Sequence, residues 1–217
     1  KMEKKSKIGI IFGGSTCFTG KPDSGESKNR EYLLSNDMVE CIVRLPKKLF
    51  FNTPLTTYLW IITNNKKMER KGFVQLIDSK DKFFRMNRPI GQKFNVISEE
   101  DRQSIIEKYV SLTEDEYSRF IPNDEFGFQE IEVKSDKEKF LTRIPLNIDS
   151  EKYFIENKNQ FPKNTVLQKN KIKVGYEVIF NRFFYEYTQP ENFQFYKKRL
   201  NTIDKIVKEK KKDLLNV

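Results

Sequence analysis

The sequence predicts an α/β fold: a mixed sheet that contains a hairpin, then an α+β extension and a terminal helix. Three observations lead to this prediction. Short β-branched and aromatic runs that end at Gly, Pro or Asn are typical of buried strands. Apolar residues at helical spacing occupy other segments. The chain has 217 residues, 37% of them hydrophobic, which is enough for one sizeable core or for one core with an appendage.

The first 80 residues predict part of an α/β sheet. The predicted elements, in order, are a buried strand over Lys7–Phe12, a helix over Lys28–Ser35, and strands over Val39–Leu45, Leu55–Thr63 and Phe73–Ile77. The first strand ends at a loop that opens with Gly13, Gly14 and Ser15, and Pro46 stops the second strand. Asn64 and Asn65 form a turn, after which Phe73–Ile77 is predicted to return as the hairpin partner of the third strand.

The remaining elements are less regular in pattern. Ser98 and Asp101 resemble a capping box, which opens a helix with an apolar stripe at Ile105, Ile106, Tyr109 and Val110. Further strands are predicted over Phe126–Val133 and Val174–Tyr187, and a terminal helix over Thr202–Leu214. We therefore divide the chain into residues 1–95 for the sheet, 96–190 for the extension and 191–217 for the terminal helix.

Composition excludes several classes of function. No segment approaches the roughly 20 apolar residues that cross a bilayer, so we expect no membrane association. The absence of histidine excludes a Ser-His-Asp triad, a Cys-His pair and most zinc sites, and no acidic pattern indicates a metal site. Cys17 and Cys41 are the only cysteines and could form a disulfide, but so few in a large chain are typical of a reduced, cytoplasmic protein.

The net charge of +10 favours a polyanionic partner, and its distribution is uneven. Asn64–Asn95 carries nine basic residues against three acidic, Ser98–Ser135 four against eleven, and Phe193–Val217 eight against three. Alternating basic and acidic segments fit a protein with one side that faces DNA. Solvated surface in a lysine-rich protein explains any single segment equally well.

Five segments in a fixed order resemble one family, the modification subunits of type I restriction-modification systems, which share an amino-methyltransferase domain. The segments are Ile8–Gly20 with Ser24–Ser27 and Arg30, Asn36–Pro46 running into Leu49–Thr53, Thr57–Ile62 with Lys71–Asp78, Asp124–Phe128 and Gly175–Tyr185. The resemblance covers nearly the whole chain and is weakest over Lys134–Lys173. It implies that the sheet is the C-terminal part of a Rossmann-like methyltransferase sheet.

The resemblance also implies what the full-length protein does: it transfers a methyl group from S-adenosylmethionine to adenine N6 in double-stranded DNA. The family binds the donor at a glycine-rich turn and the target amino group with an Asn/Asp-Pro-Pro-Phe/Tyr motif. Neither motif occurs in the 217 residues. We therefore expect the chain to match the C-terminal half of such a subunit, to contain no catalytic residue, to bind no cofactor tightly and to be inactive alone.

Phe50 is the first candidate for binding the target base. The resemblance places it where related adenine enzymes stack an aromatic ring on the flipped base, with Phe51, Asn52 and Thr53 shaping the same loop. Base–aromatic stacking contributes about 1–3 kcal/mol per base. The alternative from the sequence alone is that Leu49 and Phe50 fill the core below the strand.

Two other loops are candidates. Gly13, Gly14 and Ser15 follow a strand at the edge where open α/β sheets bind ligands, although a tight turn without a ligand explains the glycines equally well. Arg85, Arg88 and Lys93 are predicted to lie in a loop where they contact DNA phosphates. For each of these three cations, solvated surface is the plainer explanation.

The terminal helix carries apolar residues at helical spacing, Ile203, Ile206, Val207 and Leu214, beside several lysines. The resemblance implies that this region docks on the specificity subunit, which reads the DNA sequence, within a complex that also contains the restriction subunit. Packing onto the chain's own core is the alternative. Uncovered sheet edges would also favour self-association.

Two other functions stay open at this stage. In the first alternative, the chain is a non-catalytic module for DNA binding or assembly. In the second, it is part of a fused restriction-methylase. An Asn-Pro-Pro-Phe motif upstream in the same reading frame would favour the enzyme, and an upstream nuclease segment with paired acidic residues would favour the fusion.

Overall fold

The computed structural model describes residues 3, 5–135, 138–185, 187 and 189–215, with side chains as far as residue 211. The described part forms one compact unit through Phe184, and Tyr185 onward forms a second unit. The strands are β1 (Lys7–Gly13), β2 (Val39–Arg44), β3 (Thr57–Thr63), β4 (Phe73–Asp78), β5 (Phe84–Ile90), β6 (Lys93–Val96), β7 (Ser118–Pro122), β8 (Gly127–Lys134), β9 (Lys139–Pro145), β10 (Val166–Leu167) and β11 (Lys173–Tyr176).

The helices separate these strands or follow them. They are α1 (Ser15–Phe18), α2 (Gly25–Ser35), α3 (Glu99–Ser111), α4 (Ser150–Glu156), α5 (Phe180–Phe184) and, in the second unit, α6 (Phe193–Leu215). Short 3-10 turns lie at Met68–Arg70, Asn123–Phe126, Lys158–Gln160 and Lys169–Lys171. The prediction of a mixed α/β fold with a terminal helix is confirmed, and α6 begins nine residues before the predicted start.

The main sheet has the strand order β1-β3-β2-β4-β7. β2 and β4 are parallel, and the other neighbours are antiparallel. The prediction that β4 forms a hairpin with β3 is wrong. β1 and β2 occupy the two edges of β3, and the long connection after Thr63 carries β4 to the far side of β2.

Core residues cover both faces of this sheet. On one face, Trp60 and Ile62 of β3 pack with Leu34 of α2 and with Phe126 and Phe180. On the other face, Cys41, Val43 and Ile77 pack against Ile105 and Tyr109 of α3 and against the loop residues Leu49 and Phe50. Successive side chains of a strand point to opposite faces, which is why β2 and β3 supply both clusters.

Capping residues set the helix boundaries. The Ser24 hydroxyl accepts a hydrogen bond from Ser27 N–H at the start of α2, and Ser98 does the same for Asp101 N–H at the start of α3. The helix predicted over Lys28–Ser35 is confirmed and begins three residues earlier. In α3, Ile105 and Tyr109 pack inward, whereas Ile106 and Val110 are exposed, so only half of the predicted stripe reaches the core.

Two other strand predictions need correction. β1 forms as expected, but it is an edge strand whose described neighbour is β3, and most of its residues are exposed rather than buried. The strand predicted over Val174–Tyr187 ends at Tyr176, and α5 follows it. Phe180, Phe183 and Phe184 recur at helical spacing, and all three pack against the face that contains Trp60.

A second sheet is built around β8, which pairs with β9 on one side and with β10 and β11 on the other. Ile131, Val133 and Ile144 pack under α4 in a core of their own. β5 and β6 form a separate two-stranded hairpin. In the part of the chain that the structure describes, no helix is long and apolar enough to cross a membrane.

Candidate nucleic-acid interface

The carboxyl ends of β1, β2 and β4 and the start of β3 meet at one edge of the main sheet. Gly13 pairs with Thr57, Arg44 with Tyr58, and Arg44 with Asp78. Open α/β sheets bind ligands at the carboxyl ends of their strands. This edge is therefore where a binding site is expected, and an open cleft of about 690 Å³ lies there.

We call this the sheet-edge cleft. Its lining includes four cations and one acid, Arg44, Lys47, Lys48, Lys80 and Asp81. Four aromatic side chains also line it, Phe18, Tyr58, Phe83 and Phe180, together with the amides of Asn95 and Asn181. A cleft with excess positive charge and several aromatic rings has the chemistry of a nucleic-acid site.

A buried ion pair holds the floor of the sheet-edge cleft. Arg44 Nε donates to Asp78 Oδ1 at 2.7 Å, Nη2 donates to Asp78 Oδ2, and Nη1 donates to Asn181 Oδ1 at 2.8 Å. The guanidinium also lies over the Phe180 ring, 5.2 Å from its centroid. Burial alone would lower the pKa of Arg44, but the bonds to Asp78 outweigh it and raise that pKa. Arg44 is thus a permanently charged, fixed group.

Arg44 and Asp78 fall within the segments that resemble the family, but the sequence predicted no role for either residue. A signal was available in the pattern. Each residue is a charge at the end of an otherwise buried run in adjacent parallel strands, and a buried charge requires a partner. The contributions of Phe18, Phe83 and Lys80 depend on tertiary packing and carried no such signal.

The predicted base-binding loop lies beside the sheet-edge cleft, and its residues differ in exposure. Phe50 is half-buried and packs with the cluster of Cys41, Val43 and Ile77. Phe51 is 59% exposed, and Asn52 is exposed. Phe50 and Thr53 form an isolated β-bridge that closes the turn. The core-filling contact foreseen for Phe50 is present, and the exposed ring of the loop is that of Phe51.

The sequence predicted a loop at Arg85, Arg88 and Lys93, and this prediction is wrong. The three residues lie on the β5–β6 hairpin. The Pro89 ring and the low apolar content of this segment obscure its strand pattern. Arg85 and Arg88 are exposed and Lys93 is half-buried. The hairpin nevertheless presents all three cations within a 13-residue segment, Phe84–Val96.

The hairpin is fastened to the base-binding loop by main-chain hydrogen bonds. The N–H groups of Phe94 and Asn95 donate to Lys48 O at 2.9 and 3.1 Å, and Gln92 N–H donates to Phe51 O at 2.9 Å. The Asn95 side-chain amide donates to Lys47 O at 2.8 Å. The loop and the hairpin therefore form one structural unit.

Cations of this unit lie over its aromatic rings. Lys93 Nζ is 5.1 Å from the centroid of the Phe51 ring. Lys48 Nζ and the Arg85 guanidinium are 4.7 and 5.9 Å from the centroid of Phe94. Aromatic rings interleaved with cations suit a strand of nucleic acid, whose bases stack and whose phosphates attract cations. The unit brings Phe51 and Lys93 together, two residues that the sequence analysis had assigned to separate roles.

Gly13, Gly14 and Ser15 lie at the same edge, on the side of Tyr58. A Cβ on Gly14 would make ordinary van der Waals contacts with Tyr58 Cε2 at 3.4 Å and Thr56 O at 3.7 Å, so the turn packs on β3 without requiring a glycine for space. Gly14 has φ of −58° and caps the short helix α1, which the sequence had not predicted. Phe50 packs on the opposite face of the sheet from Tyr58, the residue beside this turn.

The apolar stripe of α6 is half exposed at Ile203, Ile206 and Val207, with exposed fractions of 47%, 51% and 44%. The side chain of Leu214 lies outside what the structure describes. Cys17 and Cys41 are both buried and free. Among the described residues, no group of acidic residues and cysteines could hold a metal ion.

S-adenosylmethionine does not fit the sheet-edge cleft. The donor carries a sulfonium and an ammonium group against a single carboxylate, and beyond the neutralised Arg44 the cleft is lined by three lysines against Asp81. Like charges at short range repel each other. The residues at this edge thus suit an anion.

Comparison with known proteins identifies a family for the chain. The sequence model of the N-6 DNA methylase family matches residues 1–138. The chain is 31% identical over 106 residues to the type I restriction enzyme MjaVIII methylase subunit of Methanocaldococcus jannaschii, covering 48% of this chain and 17% of that protein. It is 30% identical over 122 residues to the MjaVII methylase subunit of the same organism, covering 56% and 20%.

The chain therefore spans about a fifth of the length of the curated relatives that it matches, or less. Among solved structures, the methyltransferase subunit of a type I restriction-modification system from Streptococcus thermophilus aligns with a TM-score of 0.48 at 21% identity, over 55% of this chain and 24% of that one. Since the family match alone covers 138 of the 217 residues, the chain belongs to the N-6 DNA methylase family.

Proposed function

We propose that the chain supplies target-base and DNA contacts to an adenine-N6 DNA methyltransferase that acts as the modification subunit of a type I system. The observation that carries the proposal is the fastening of the base-binding loop to a cationic hairpin in a chain of this family. A base that leaves the duplex needs an aromatic surface, and the strand it leaves needs phosphate contacts. The loop and hairpin offer both within one unit.

Within this proposal the residues have distinct roles. Phe50 to Thr53 form the wall of the target-base pocket, and Gly13 to Ser15 form a second loop at the same sheet edge, beside Tyr58. Arg85, Arg88 and Lys93 contact phosphates. The sheet is the C-terminal part of a Rossmann-like methyltransferase sheet, and the methyl donor binds to other residues of the full-length protein.

Salt dependence of duplex binding tests the phosphate contacts. Each phosphate contact that is lost should make the slope of log K against log [salt] shallower by about 0.9. We expect the Arg85→Gln, Arg88→Gln, Lys93→Gln triple variant to lose about 2.7 in slope. A matched control removes three exposed lysines elsewhere, Lys28→Gln, Lys71→Gln and Lys163→Gln. If the salt slope decreases equally in the triple variant and in the control, the hairpin does not contact DNA.

Calorimetry with S-adenosylmethionine tests the assignment of the donor site. The proposal expects no heat of binding to the 217-residue chain and clear binding to the longer protein that contains it. Micromolar binding to the 217 residues would mean that they hold the donor site themselves.

The partners follow the same proposal. α6 docks through Ile203, Ile206, Val207 and Leu214 on the specificity subunit, in a complex that also contains the restriction subunit. The half-exposed apolar stripe of α6 supports this, because such a stripe is stabilised by burial. An Ile206→Glu variant should fail to assemble with the specificity subunit, whereas Lys205→Glu, one residue away on the charged side, should assemble.

A further inference from the structure

We propose that the sheet-edge cleft binds one nucleotide unit of a DNA strand, base and phosphate together, at a position other than the target base. The proposal rests on the proposed function in that the strand belongs to the DNA that the protein binds. It assigns a second nucleotide site to residues outside the base-binding loop and the hairpin cations.

The sheet-edge cleft is separate from the wall formed by Phe50. The Phe50 ring packs with Cys41 and Val43 on the α3 side of the sheet. The floor of the cleft is made by Tyr58 and Phe180, which pack with the cluster on the α2 side. A base stacked on Phe50 and a base on this floor therefore occupy different places.

Two exposed aromatic rings mark where a base stacks. Phe18 is 53% exposed and Phe83 is 39% exposed, and both line the cleft although they come from different segments of the chain. Tyr58 and Phe180 together form the aromatic floor of the cleft, and their ring centroids are 5.1 Å apart. Half-exposed rings that converge on one cleft are suited to stacking on a planar ligand.

Two lysines mark where the phosphate binds. Arg44 is neutralised by Asp78 and buried, so it orders the floor and is not available to a ligand. The Lys80 side chain is 52% exposed, with Nζ 3.7 Å from Asp78 Oδ2. Lys47 is exposed and forms no ion pair within the described residues. Lys80 only shares the Asp78 carboxylate with Arg44, so Lys47 and Lys80 can both contact a phosphate.

Size and rigidity also favour a nucleotide. The cleft volume of about 690 Å³ lies within the range of small-ligand sites, about 300–1,000 Å³. Asn95 fixes the backbone of Lys47, and Asn181 is fixed by Arg44, so both walls are held before a ligand arrives. An acidic peptide would use the lysines but would leave Phe18 and Phe83 without a planar partner.

Binding of short probes to the 217-residue chain tests the proposal. The probes are a single-stranded tetranucleotide of deoxyadenosine, deoxyadenosine monophosphate, deoxyadenosine, inorganic phosphate and a glutamate tetrapeptide. We expect the tetranucleotide to bind most tightly, with the monophosphate next and the other three much weaker. The monophosphate binding as tightly as the tetranucleotide would indicate a free nucleotide as the ligand and would overturn the strand assignment.

Paired variants locate the site. Phe18→Ala with Phe83→Ala should weaken tetranucleotide binding by about 5- to 150-fold for each base that stacks. Lys47→Gln with Lys80→Gln should make the salt slope shallower by about 0.7, because the two lysines together neutralise one phosphate of a single strand. The matched controls Phe73→Ala and Lys71→Gln, an exposed ring and an exposed lysine outside the cleft, should leave both quantities unchanged.

The outcomes separate this proposal from the proposed function. Suppose that duplex binding depends on the hairpin cations but tetranucleotide binding is unchanged by all four cleft substitutions. This result would overturn the second site and leave the proposed function standing. Tighter binding of the glutamate peptide than of the tetranucleotide would overturn it in favour of an acidic protein partner. No binding of any nucleic acid would overturn both.

Discussion

The Arg44 guanidinium and the Asp78 carboxylate form a bidentate ion pair across the two parallel strands of the main sheet. Both side chains are buried, with exposed fractions of 9% and 6%. Their backbones are also joined, since Ser79 N–H donates to Arg44 O at 3.0 Å. The pair therefore fixes the ends of β2 and β4 relative to each other and sets the floor of the sheet-edge cleft.

Removal of Asp78 should be strongly destabilising. Asp78→Ala leaves the Arg44 charge buried without its partner, and such a change lowers the free energy of unfolding by about 3–5 kcal/mol. Asp81→Ala, an exposed carboxylate on the following turn, should change it by less than about 0.5 kcal/mol. Urea unfolding of both variants measures this difference. Similar small effects at the two positions would show that the ion pair contributes little to stability.

Gly91 couples the hairpin to the base-binding loop. Its φ is +57°, and a Cβ there would lie 2.8 Å from Phe51 O. Gly72 also has positive φ, +82°, but a Cβ on it would meet nothing within 4 Å. Alanine at either position adopts a left-handed backbone, which costs about 1–2 kcal/mol, and only at Gly91 does it also clash.

We therefore expect Gly91→Ala to lower the free energy of unfolding by at least about 1 kcal/mol more than Gly72→Ala does. It should also accelerate hydrogen exchange at Gln92 N–H, whose acceptor is Phe51 O. If the two alanine variants are equally stable and Gln92 exchange is unchanged, the loop and hairpin are not held together at this contact.

The sequence predicted four of the five strands of the main sheet, β1 to β4, and missed β7; it predicted their neighbours less well. β-branched runs such as Val39–Leu45 are a local signal, so their positions were correct within about two residues. Pairing is not local. β4 could be placed beside β3 by a hairpin rule, but both edges of β3 are filled, and the pairing with β2 depends on the Arg44–Asp78 contact and the fit of the whole sheet.

Exposure was harder to predict than secondary structure. Lys7–Phe12 has the composition of a central strand, yet it lies at an edge, because composition does not specify how many neighbours a strand has. The same holds at the candidate site. The resemblance drew attention to Phe50, whereas Phe18 and Phe83 have no distinctive sequence context and are brought to the cleft by packing alone.

The pair of Asp37 and Lys66 should make stability depend on pH in the acid range. The Lys66 side chain is 2% exposed, and its Nζ donates to Asp37 Oδ1. Burial would raise the pKa of Asp37, but hydrogen bonds from Lys66, Asn123 and the Gly72 N–H outweigh it and lower that pKa. Burial lowers the pKa of Lys66 despite the attraction of Asp37.

A carboxyl group with a lowered pKa in the folded state contributes stability above its unfolded pKa, about 3.9, and loses that contribution as the pH falls through the folded value. We expect Asp37→Asn to be less stable than the parent by a constant amount above about pH 5, and the difference to narrow below about pH 4. Urea unfolding between pH 3 and 7 measures it. A difference that stays constant down to pH 3 would contradict the role of the Asp37 carboxylate.

Both thiols should be unreactive in the folded chain. Cys17 and Cys41 are 1% and 0% exposed. Burial raises the pKa of Cys17 to about 12 and raises that of Cys41 further, so almost no thiolate forms at neutral pH. A disulfide reagent should modify both cysteines only after unfolding in urea. Rapid modification of either one at pH 8 without urea would show that the sheet core opens locally.

Phe50 and Phe51 should respond differently to substitution in the full-length protein. Phe50→Ala removes a ring that packs with Cys41, Val43 and Ile77, so it should lower the free energy of unfolding by about 3 kcal/mol as well as weaken base stacking. Phe51→Ala removes an exposed ring and should leave stability within about 0.5 kcal/mol of the parent.

Fluorescence of 2-aminopurine at the target adenine reports base flipping in each variant, and methyl transfer reports the reaction. Loss of the flipping signal in Phe50→Ala below its unfolding temperature would support stacking by that ring, whereas loss in Phe51→Ala alone would move the stacking surface to the exposed ring. Unchanged flipping and methylation in both would remove the loop from the base pocket.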